Sequence, residues 1–409
     1  MKNSMGWLIP ALLLGAPAAA QQPVEYNEAL RAAAADQPLI EADRLQIEAR
    51  RLGAEAAGQL PDPKLEAGIE NLPVTGPDPL GPDMMTMLKV GVEQEIPNRA
   101  KRRAQTGLAG SQITLAEARL GLTVRQVRVE AGAAWIDLAY AQRGLQLAAQ
   151  ASAELNTLVP VANSAVASGS ARPAEALAIR RSLVEFDDTT SRLEAERDAA
   201  GARLARFIPA NQLVATGPTP PPLVDAGELR PTLGGNPALA VTDARLRLAD
   251  AELRVAEAER RPDFGVSVSY GVRERNYGDM LSVMGSMTLP IFAGRRQEPR
   301  IAAAEAEAGA ARARLVDQQR QLSAQFEADV AAWRSAYRQW QNADQQLHML
   351  ERERVQLETA SFAAGRASLT DVVAARTSLA MHELEILERE AKAVKAASLL
   401  RLTYGEARP

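Results

Sequence analysis

Hydrophobic and polar residues alternate in two pairs of short segments, one pair in each half of the chain. The first pair covers about residues 63–72 and 85–97, and the second covers about residues 263–273 and 280–292. In the clearest segment Phe264, Val266, Val268, Tyr270 and Val272 alternate with Gly265, Ser267, Ser269, Gly271 and Arg273. A period of two residues predicts β-strands with one apolar and one polar face. Strands of about ten residues can cross a bilayer when they are tilted.

Each strand pair is followed by a long segment with the period of a helix. These segments, about residues 98–168 and 294–364, are each predicted to form one unbroken helix, which would be about 105 Å long. Apolar or small residues recur in the first at alternating spacings of four and three: Leu120, Val124, Val127, Ala131, Ala134, Leu138, Ala141, Leu145, Ala148, Ser152, Leu155 and Val159. This heptad spacing predicts coiled-coil packing of closely approaching helices.

The order of predicted elements is the same in the two halves of the chain. Each half has a helix, two strands, a long helix and a shorter helix, which indicates an internal duplication. The first repeat is predicted over residues 21–216 and the second over residues 236–409, with a proline- and glycine-rich linker over residues 217–235. The predicted fold class is therefore mainly α with a small β part.

Each long helix is predicted to end at a glycine in a helix–helix turn, and these two turns, residues 169–175 and 365–371, are called the tips. Glycine permits the left-handed conformation that commonly ends a helix. Ser368 and Asp371 have the spacing of a capping box. Helix capping explains these residues, and docking of a partner explains them equally well. The candidate docking residues are Gly169, Ser170, Ala171, Arg172, Gly365, Arg366, Ala367 and Ser368.

Composition and charge argue against several classes of function. The net charge is −4, so the chain lacks the basic footprint of a nucleic-acid-binding protein. Cysteine is absent, only two histidines occur, and no phosphate-binding loop appears, so neither an enzyme nor a bound cofactor or metal is expected. Residues 1–20 have a basic start, an apolar segment and small final residues, which predicts a removable export signal. No later segment is apolar for long enough to form a transmembrane helix.

The four predicted strands cannot cross a membrane as a single isolated sheet. A sheet edge in lipid leaves backbone groups without hydrogen bonds, and known barrels need about eight strands or more. One chain supplies four strands, so several chains would have to share one barrel. The alternative is a soluble four-stranded sheet with one face on helices.

Methionine and histidine are the remaining residues that could bind a metal ion. Six methionines lie in or beside the strands: Met84, Met85, Met87, Met280, Met284 and Met287. Thioethers can bind copper(I), but packing on the surface of a barrel is the interpretation favoured by their positions. His348 and His382 lie singly on helices whose faces look exposed, and they are interpreted as surface residues.

These features together resemble the TolC family of outer-membrane efflux channels, over essentially the whole chain after the export signal. The resemblance rests on the duplication, the strand pairs, the tips at Gly169 and Gly365, and residues 289–292 with Gly294, which look like that family's passage from strand to helix. It implies a homotrimer whose twelve strands form one outer-membrane β-barrel, continued by an α-barrel across the periplasm of a Gram-negative bacterium. The implied partners are a periplasmic adaptor protein and an inner-membrane pump of the resistance-nodulation-division type.

The resemblance also implies a passive conduit whose narrow end is ringed by acidic side chains. Asp371 matches one acidic position, whereas Ala374 stands where some family members have a second aspartate. A ring of aspartates would attract cations. The compact chain looks like the branch paired with heavy-metal pumps, so metal cations and drugs are both candidate cargoes. The alternative function is a periplasmic adaptor with helical hairpins, although this chain has two hairpins, each preceded by a strand pair.

Overall fold

The computed structural model of this chain describes residues 22–76, 79–81, 83–169, 172–210 and 212–406. The predicted export signal, residues 1–20, lies outside the described residues. The chain divides into two compact units. Unit 1 contains the described residues within 1–37, 126–226 and 328–407, and unit 2 contains residues within 38–125 and 227–327. The two long helical segments contribute to both units, so each unit is described by itself.

The described elements follow the order that the duplication predicts, with several short additions. They are β1 (Gln22–Glu25), α1 (Tyr26–Ala35), α2 (Pro38–Ala56), β2 (Lys64–Glu70), β3 (Met87–Ile96), α3 (Arg99–Asn156), α4 (Leu158–Ala167), α5 (Pro173–Ala205), β4 (Leu213–Thr216), α6 (Ala226–Leu229), a 3₁₀-helix (Pro231–Gly235), α7 (Pro237–Ala258), β5 (Phe264–Arg273), β6 (Met280–Met287), α8 (Ala293–Asn342), a π-helix (Ala343–Leu347), α9 (His348–Ala363) and α10 (Leu369–Tyr404). Among the described residues, no helix is both long and apolar enough to span a bilayer.

Unit 2 contains a four-stranded antiparallel sheet with the strand order β2-β3-β5-β6. The register aligns the apolar positions of all four strands into rows across one face. One row contains Leu65, Val92, Val268 and Val283, and the next contains Ala67, Val90, Tyr270 and Leu281. The large residues of these rows are exposed in the single chain. The opposite face has small or polar residues, such as Glu66, Gly91, Ser269 and Ser282 in one row.

Unit 1 contains a coiled-coil core built from α3, α4, α5 and α10. Its buried residues keep heptad spacing on each helix: Ala148, Ala151, Leu155, Leu158 and Ala162 from α3 and α4, Ile179, Phe186 and Leu193 from α5, and Leu369, Val373, Ala380 and Leu384 from α10. The predicted heptad stripe is therefore core over most of its length. Beyond Ala148 the buried seam uses Ala151 and Leu158 rather than the predicted Ser152 and Val159, a shift of one residue.

The prediction of two unbroken long helices is wrong at one point in each. The first is interrupted at Thr157, between α3 and α4. Pro160 lies in the first turn of α4 and has no N–H for the carbonyl of Asn156, so it is favoured there and disfavoured inside a continuous helix. The second is interrupted by the π-helix at Ala343–Leu347. There the guanidinium of Arg389 donates a hydrogen bond to the backbone oxygen of Gln339 at 3.4 Å, and such insertions into the helical ladder distort helices.

The sequence analysis also missed a small parallel sheet in unit 1. Strands β1 and β4 pair over four residues each, from Gln22 with Leu213 to Glu25 with Thr216. The backbone oxygen of Val24 accepts a hydrogen bond from Trp135 Nε1 at 2.8 Å, which fixes β1 on α3. The predicted linker packs on helix α8 at Pro222, whose backbone oxygen accepts a hydrogen bond from Trp333 Nε1 at 2.8 Å.

Candidate functional site

The second tip is a helix-ending turn that requires glycine at one position. Gly365 has a φ of +69°, and its N–H donates to the oxygen of Phe362 at 2.9 Å. The N–H of Arg366 donates to the oxygen of Ser361 at 2.8 Å, which completes a Schellman motif. A Cβ built at position 365 meets no atom within 4 Å. Glycine is therefore needed for the backbone conformation, and the space around it is open.

A complete capping box starts the outgoing helix of the second tip, as the spacing of Ser368 and Asp371 predicts. The N–H of Ser368 donates to Asp371 Oδ2 at 2.9 Å, and the N–H of Asp371 donates to Ser368 Oγ at 3.3 Å. The hydroxyl of Ser368 also donates to Asp371 Oδ2 at 2.7 Å. These bonds from the hydroxyl and the N–H of Ser368 lower the pKa of Asp371. Asp371 therefore has an exposed carboxylate that is ionised at neutral pH.

The residues around Asp371 separate into an exposed and a buried face of α10. Asp371 and Ala374 are exposed and lie one turn apart, whereas Val372 and Val373 are buried. Asp371 caps helix α10 and is also exposed to solvent, so its charge stays accessible. Its role in an aperture stays a prediction.

The first tip has the same glycine ending and a different start to its outgoing helix. Gly169 has a φ of +75°, and its N–H donates to the oxygen of Val166 at 3.1 Å. Ser170 and Ala171, two of the predicted docking residues, lie outside the described residues. Arg172 is followed by Pro173 at the first helical position of α5, and its Nε bonds Glu175 Oε1 at 3.2 Å. Counted from the two glycines, Arg172 takes the place of Ser368 and Glu175 takes the place of Asp371, so both tips have an acidic residue at the latter position.

Both tips are attached to the same end of the unit 1 core. Leu158, Ala162 and Ile179 from the first hairpin pack in one cluster with Leu369 and Val373 from the second. The structure therefore brings the two predicted docking segments onto one cluster, although their docking role stays a prediction. Each turn has an exposed arginine outside the buried core, Arg172 in the first and Arg366 in the second.

The four-stranded sheet of unit 2 is a second candidate surface, because its apolar face and the outer edges of its two edge strands have no partner within the described residues of the chain. Its apolar rows are exposed, and within the described residues β2 and β6 each pair along one edge only. The opposite face is close-packed at Gly91, where an added Cβ would lie 2.8 Å from Ser269 Cβ. A sheet with an uncovered apolar face and open edges is suited to lipid and to pairing with further strands.

A buried polar hub joins strand β5 to helix α3, and the sequence analysis did not find it. The carboxylate of Asp263 accepts from the N–H of Asn98 at 2.7 Å, from Asn98 Nδ2 at 2.9 Å and from Lys101 Nζ at 2.9 Å. Asn98 Oδ1 in turn accepts from the N–H of Lys101 at 2.9 Å. Partial burial raises the pKa of Asp263, but these hydrogen bonds outweigh it and hold the pKa below its usual range. Asn98 after Pro97 was the available signal, because asparagine is a preferred helix N-cap.

The histidines and methionines considered as metal ligands agree only in part with their predicted surroundings. Within the described residues, no group of three or more His, Asp or Glu side chains is placed to hold a metal ion. His382 is not a simple surface residue, since its side chain is largely buried and its Nδ1 lies 3.4 Å from Glu385 Oε2. By register Met87, Met280 and Met284 lie on the polar face of the sheet and Met287 on the apolar face. The predicted packing of these methionines on the surface of a barrel stays a prediction.

Comparison with known proteins identifies the family. The model of the family described as "Outer membrane efflux protein" matches residues 229–406, which is nearly all of the second repeat. The second repeat of the chain therefore matches the family of outer membrane efflux proteins. The predicted resemblance to this family holds for residues 229–406, and the predicted location, the outer membrane of a Gram-negative bacterium with a periplasmic extension, is confirmed. Members of this efflux protein family are channels rather than enzymes. No curated sequence matches the chain.

Solved structures show the TolC-like fold over both repeats. A membrane protein from Pseudomonas aeruginosa has a TM-score of 0.78 at 16% identity, covering 93% of this chain and 90% of its own. The outer membrane protein VceC from Vibrio cholerae has a TM-score of 0.75 at 17% identity, covering 93% and 96%. The open-state MtrE outer membrane channel of Neisseria gonorrhoeae has a TM-score of 0.72 at 17% identity, covering 93% and 88%. The predicted fold class, mainly helical with a small sheet, is confirmed.

Proposed function

We propose that this efflux protein is the outer-membrane channel of a tripartite efflux system. Three copies form a passive conduit that receives cargo from an inner-membrane pump and a periplasmic adaptor protein. The four strands of each copy join those of the other two in one twelve-stranded β-barrel. The long helices of the three copies form the periplasmic part of the conduit.

The single observation that carries this proposal is the state of the four-stranded sheet. Its apolar rows have no covering layer in the chain, and β2 and β6 have free edges within the described residues. Since adjacent strands are antiparallel throughout, β6 of one copy runs antiparallel to β2 of the next. Pairing of these edges would satisfy the backbone of both strands, and closure would leave no edge in the lipid.

The tips supply the second part of the proposal. Arg172 and Arg366 of these turns are exposed, and the hairpins that carry them join one end of the helical core, so the tips are suited to contact an adaptor. Asp371 has its carboxylate exposed and ionised, and three copies would give three such charges around an aperture. A ring of carboxylates favours cations over anions. Nothing in this arrangement provides energy, so transport depends on the pump.

Cargo selection is assigned to the pump rather than to the channel. Metal cations and drugs are the two cargo classes that we propose, in keeping with an acidic aperture and an unspecialised conduit. Deletion of the gene, followed by tests of resistance to copper, silver and zinc salts and to a panel of drugs, distinguishes the two classes.

The function is tested by membrane fractionation and single-channel recording of the full chain. We expect the protein to stay in the outer-membrane fraction after washing with salt and urea, and the purified protein to form ion-conducting channels in planar bilayers. Release by the wash, with no conductance, would support a periplasmic adaptor instead. Retention without conductance would contradict the conduit while leaving the membrane location intact.

A further inference from the structure

Unit 2 concentrates positive charge at the start of its two long helices. Residues 97–103 and 293–300 contain seven lysine and arginine residues and one acidic residue, Glu298. The chain as a whole has a net charge of −4. The two segments occupy equivalent places in the two repeats, directly after β3 and shortly after β6, so the same charge pattern occurs twice.

Contacts with the end of α7 hold these two segments at one level of unit 2. On one side Asn98 and Lys101 bind Asp263. On the other side Arg260 Nη2 lies 3.5 Å from Glu298 Oε1, and Arg300 Nη1 lies 3.2 Å from Glu259 Oε2. The starts of α3 and α8 are therefore joined through residues 259–263.

Five further arginines in these segments take no part in the ion pairs just described. They are exposed, and the described residues offer no carboxylate within 4.0 Å of their side-chain nitrogens. We call them the basic belt: Arg99, Arg103, Arg261, Arg295 and Arg296. The chain does not neutralise them by helix-end acidic residues either, because the first turns of α3 and α8 contain none. Cations near a helix start are locally unfavourable, so an external anion would relieve them.

Apolar side chains adjoin the basic belt on the side of the strands. Ile291 and Phe292 are 79% and 71% exposed, and Leu289 and Phe264 are also exposed. Phe292 is followed three residues later by Arg295. An exposed apolar and aromatic zone bordered by basic residues is typical of a protein surface at the edge of a bilayer.

We propose that the basic belt binds the phosphate groups of anionic phospholipids in the periplasmic leaflet of the outer membrane. Arginine is suited to this role because its planar guanidinium can donate two parallel hydrogen bonds to a phosphate. The inference rests on the proposed function, in which the strand ends next to α3 and α8 lie at the periplasmic side. The bound headgroups would fix how deeply each copy sits in the membrane.

The test uses a belt variant and a charge-matched control in the full chain. The belt variant carries Arg99→Gln, Arg103→Gln, Arg295→Gln and Arg296→Gln. The control carries Arg180→Gln, Arg181→Gln, Arg334→Gln and Arg338→Gln, four exposed arginines of unit 1. Each purified protein is placed in nanodiscs of phosphatidylcholine with an equal amount of phosphatidylglycerol. Native mass spectrometry then counts the lipids of each kind that stay bound.

We expect wild type and control to retain phosphatidylglycerol in preference to phosphatidylcholine. In the belt variant this preference should fall by at least about fivefold and become insensitive to salt, because each arginine near a membrane surface contributes to binding anionic lipid. An undiminished preference in the belt variant would overturn the proposal. In a second set of nanodiscs that also contain lipid A, stronger retention of lipid A than of phosphatidylglycerol by the belt would overturn its assignment to the periplasmic leaflet.

Failure of this inference can be separated from failure of the proposed function. Single-channel conductance of the same three proteins is recorded in parallel. If wild type does not insert and conduct, the channel itself is contradicted. If all three proteins conduct alike and none prefers phosphatidylglycerol, the channel stands and the lipid-binding role of the belt is refuted.

Discussion

Removal of the Asp263 carboxylate should weaken the junction between strand β5 and helix α3. Asp263→Ala deletes three hydrogen bonds, two to Asn98 and one to Lys101, and it leaves Asn98 without an acceptor for its N–H. The Asp263 side chain is 31% exposed, so water replaces part of what is lost. Hydrogen bonds to a charged group contribute about 1.5–3 kcal/mol each when buried, and we expect a loss of about 2–4 kcal/mol for the set.

Thermal unfolding of the detergent-solubilised protein, followed by circular dichroism, measures this loss. A destabilisation of that size corresponds to a decrease in Tm of about 5 °C or more for a unit the size of unit 2. Asp62→Ala is the matched control, because Asp62 follows a proline at the equivalent point of the first repeat and is exposed. A Tm of Asp263→Ala within about 1 °C of the Asp62→Ala value would refute the reasoning.

The pH dependence of the same junction provides an independent check. The folded-state pKa of Asp263 is lowered, so its contribution to stability is complete above its unfolded pKa and is lost as the pH falls toward the folded value. We therefore expect the Tm difference between wild type and Asp263→Asn to be full at pH 7 and to shrink below about pH 4. A difference that stays constant from pH 7 to pH 3 would show that the carboxylate charge is not what stabilises the junction.

Three further outcomes are expected at the tips. Asp371→Asn should bring the cation-to-anion permeability ratio of single channels close to one, and an unchanged ratio would remove Asp371 from the aperture. Bulky residues at Gly169 and Gly365 should abolish export in resistance assays while trimers persist. A larger side chain meets no neighbouring atom at either glycine, but the positive φ of each glycine strains the turn when another residue replaces it. Normal export would exclude the tips as the docking site. Gly365→Ala should cost about 1 kcal/mol, measured by urea unfolding, because alanine is strained at φ +69°.

The strands and the second tip illustrate what local sequence patterns can predict. The alternation around Phe264 and Val272 depends only on which side of the strand carries the apolar residues, and β5 has that pattern in the structure. The capping box of Ser368 and Asp371 is equally local, since both partners lie within one turn. The internal duplication added the order of elements to these signals. Together these features were sufficient to predict the fold class.

Features that depend on contacts between distant segments could not be predicted in the same way. The hub of Asn98 and Asp263 joins residues that are 165 positions apart, so the N-cap signal of Asn98 does not reveal its partner. The π-helix coincides with a hydrogen bond from Arg389, a residue on another helix, to Gln339, and this contact is visible only once α8 and α10 are packed. Pro160 was a local signal that the heptad pattern concealed, because the apolar spacing continues through it.

The most direct test of the account is whether strands from different copies pair in the membrane. The chain has no cysteine, so one cysteine at Glu66 in β2 and one at Ser282, Met284 or Ser286 in β6 can be introduced without interference. Within one chain β3 and β5 separate these strands by about 14 Å, too far for a disulfide. We predict that oxidation of intact outer membranes links two and then three copies for at least one pairing. Single chains at every pairing, or a folded monomer that needs no detergent, would contradict the shared barrel.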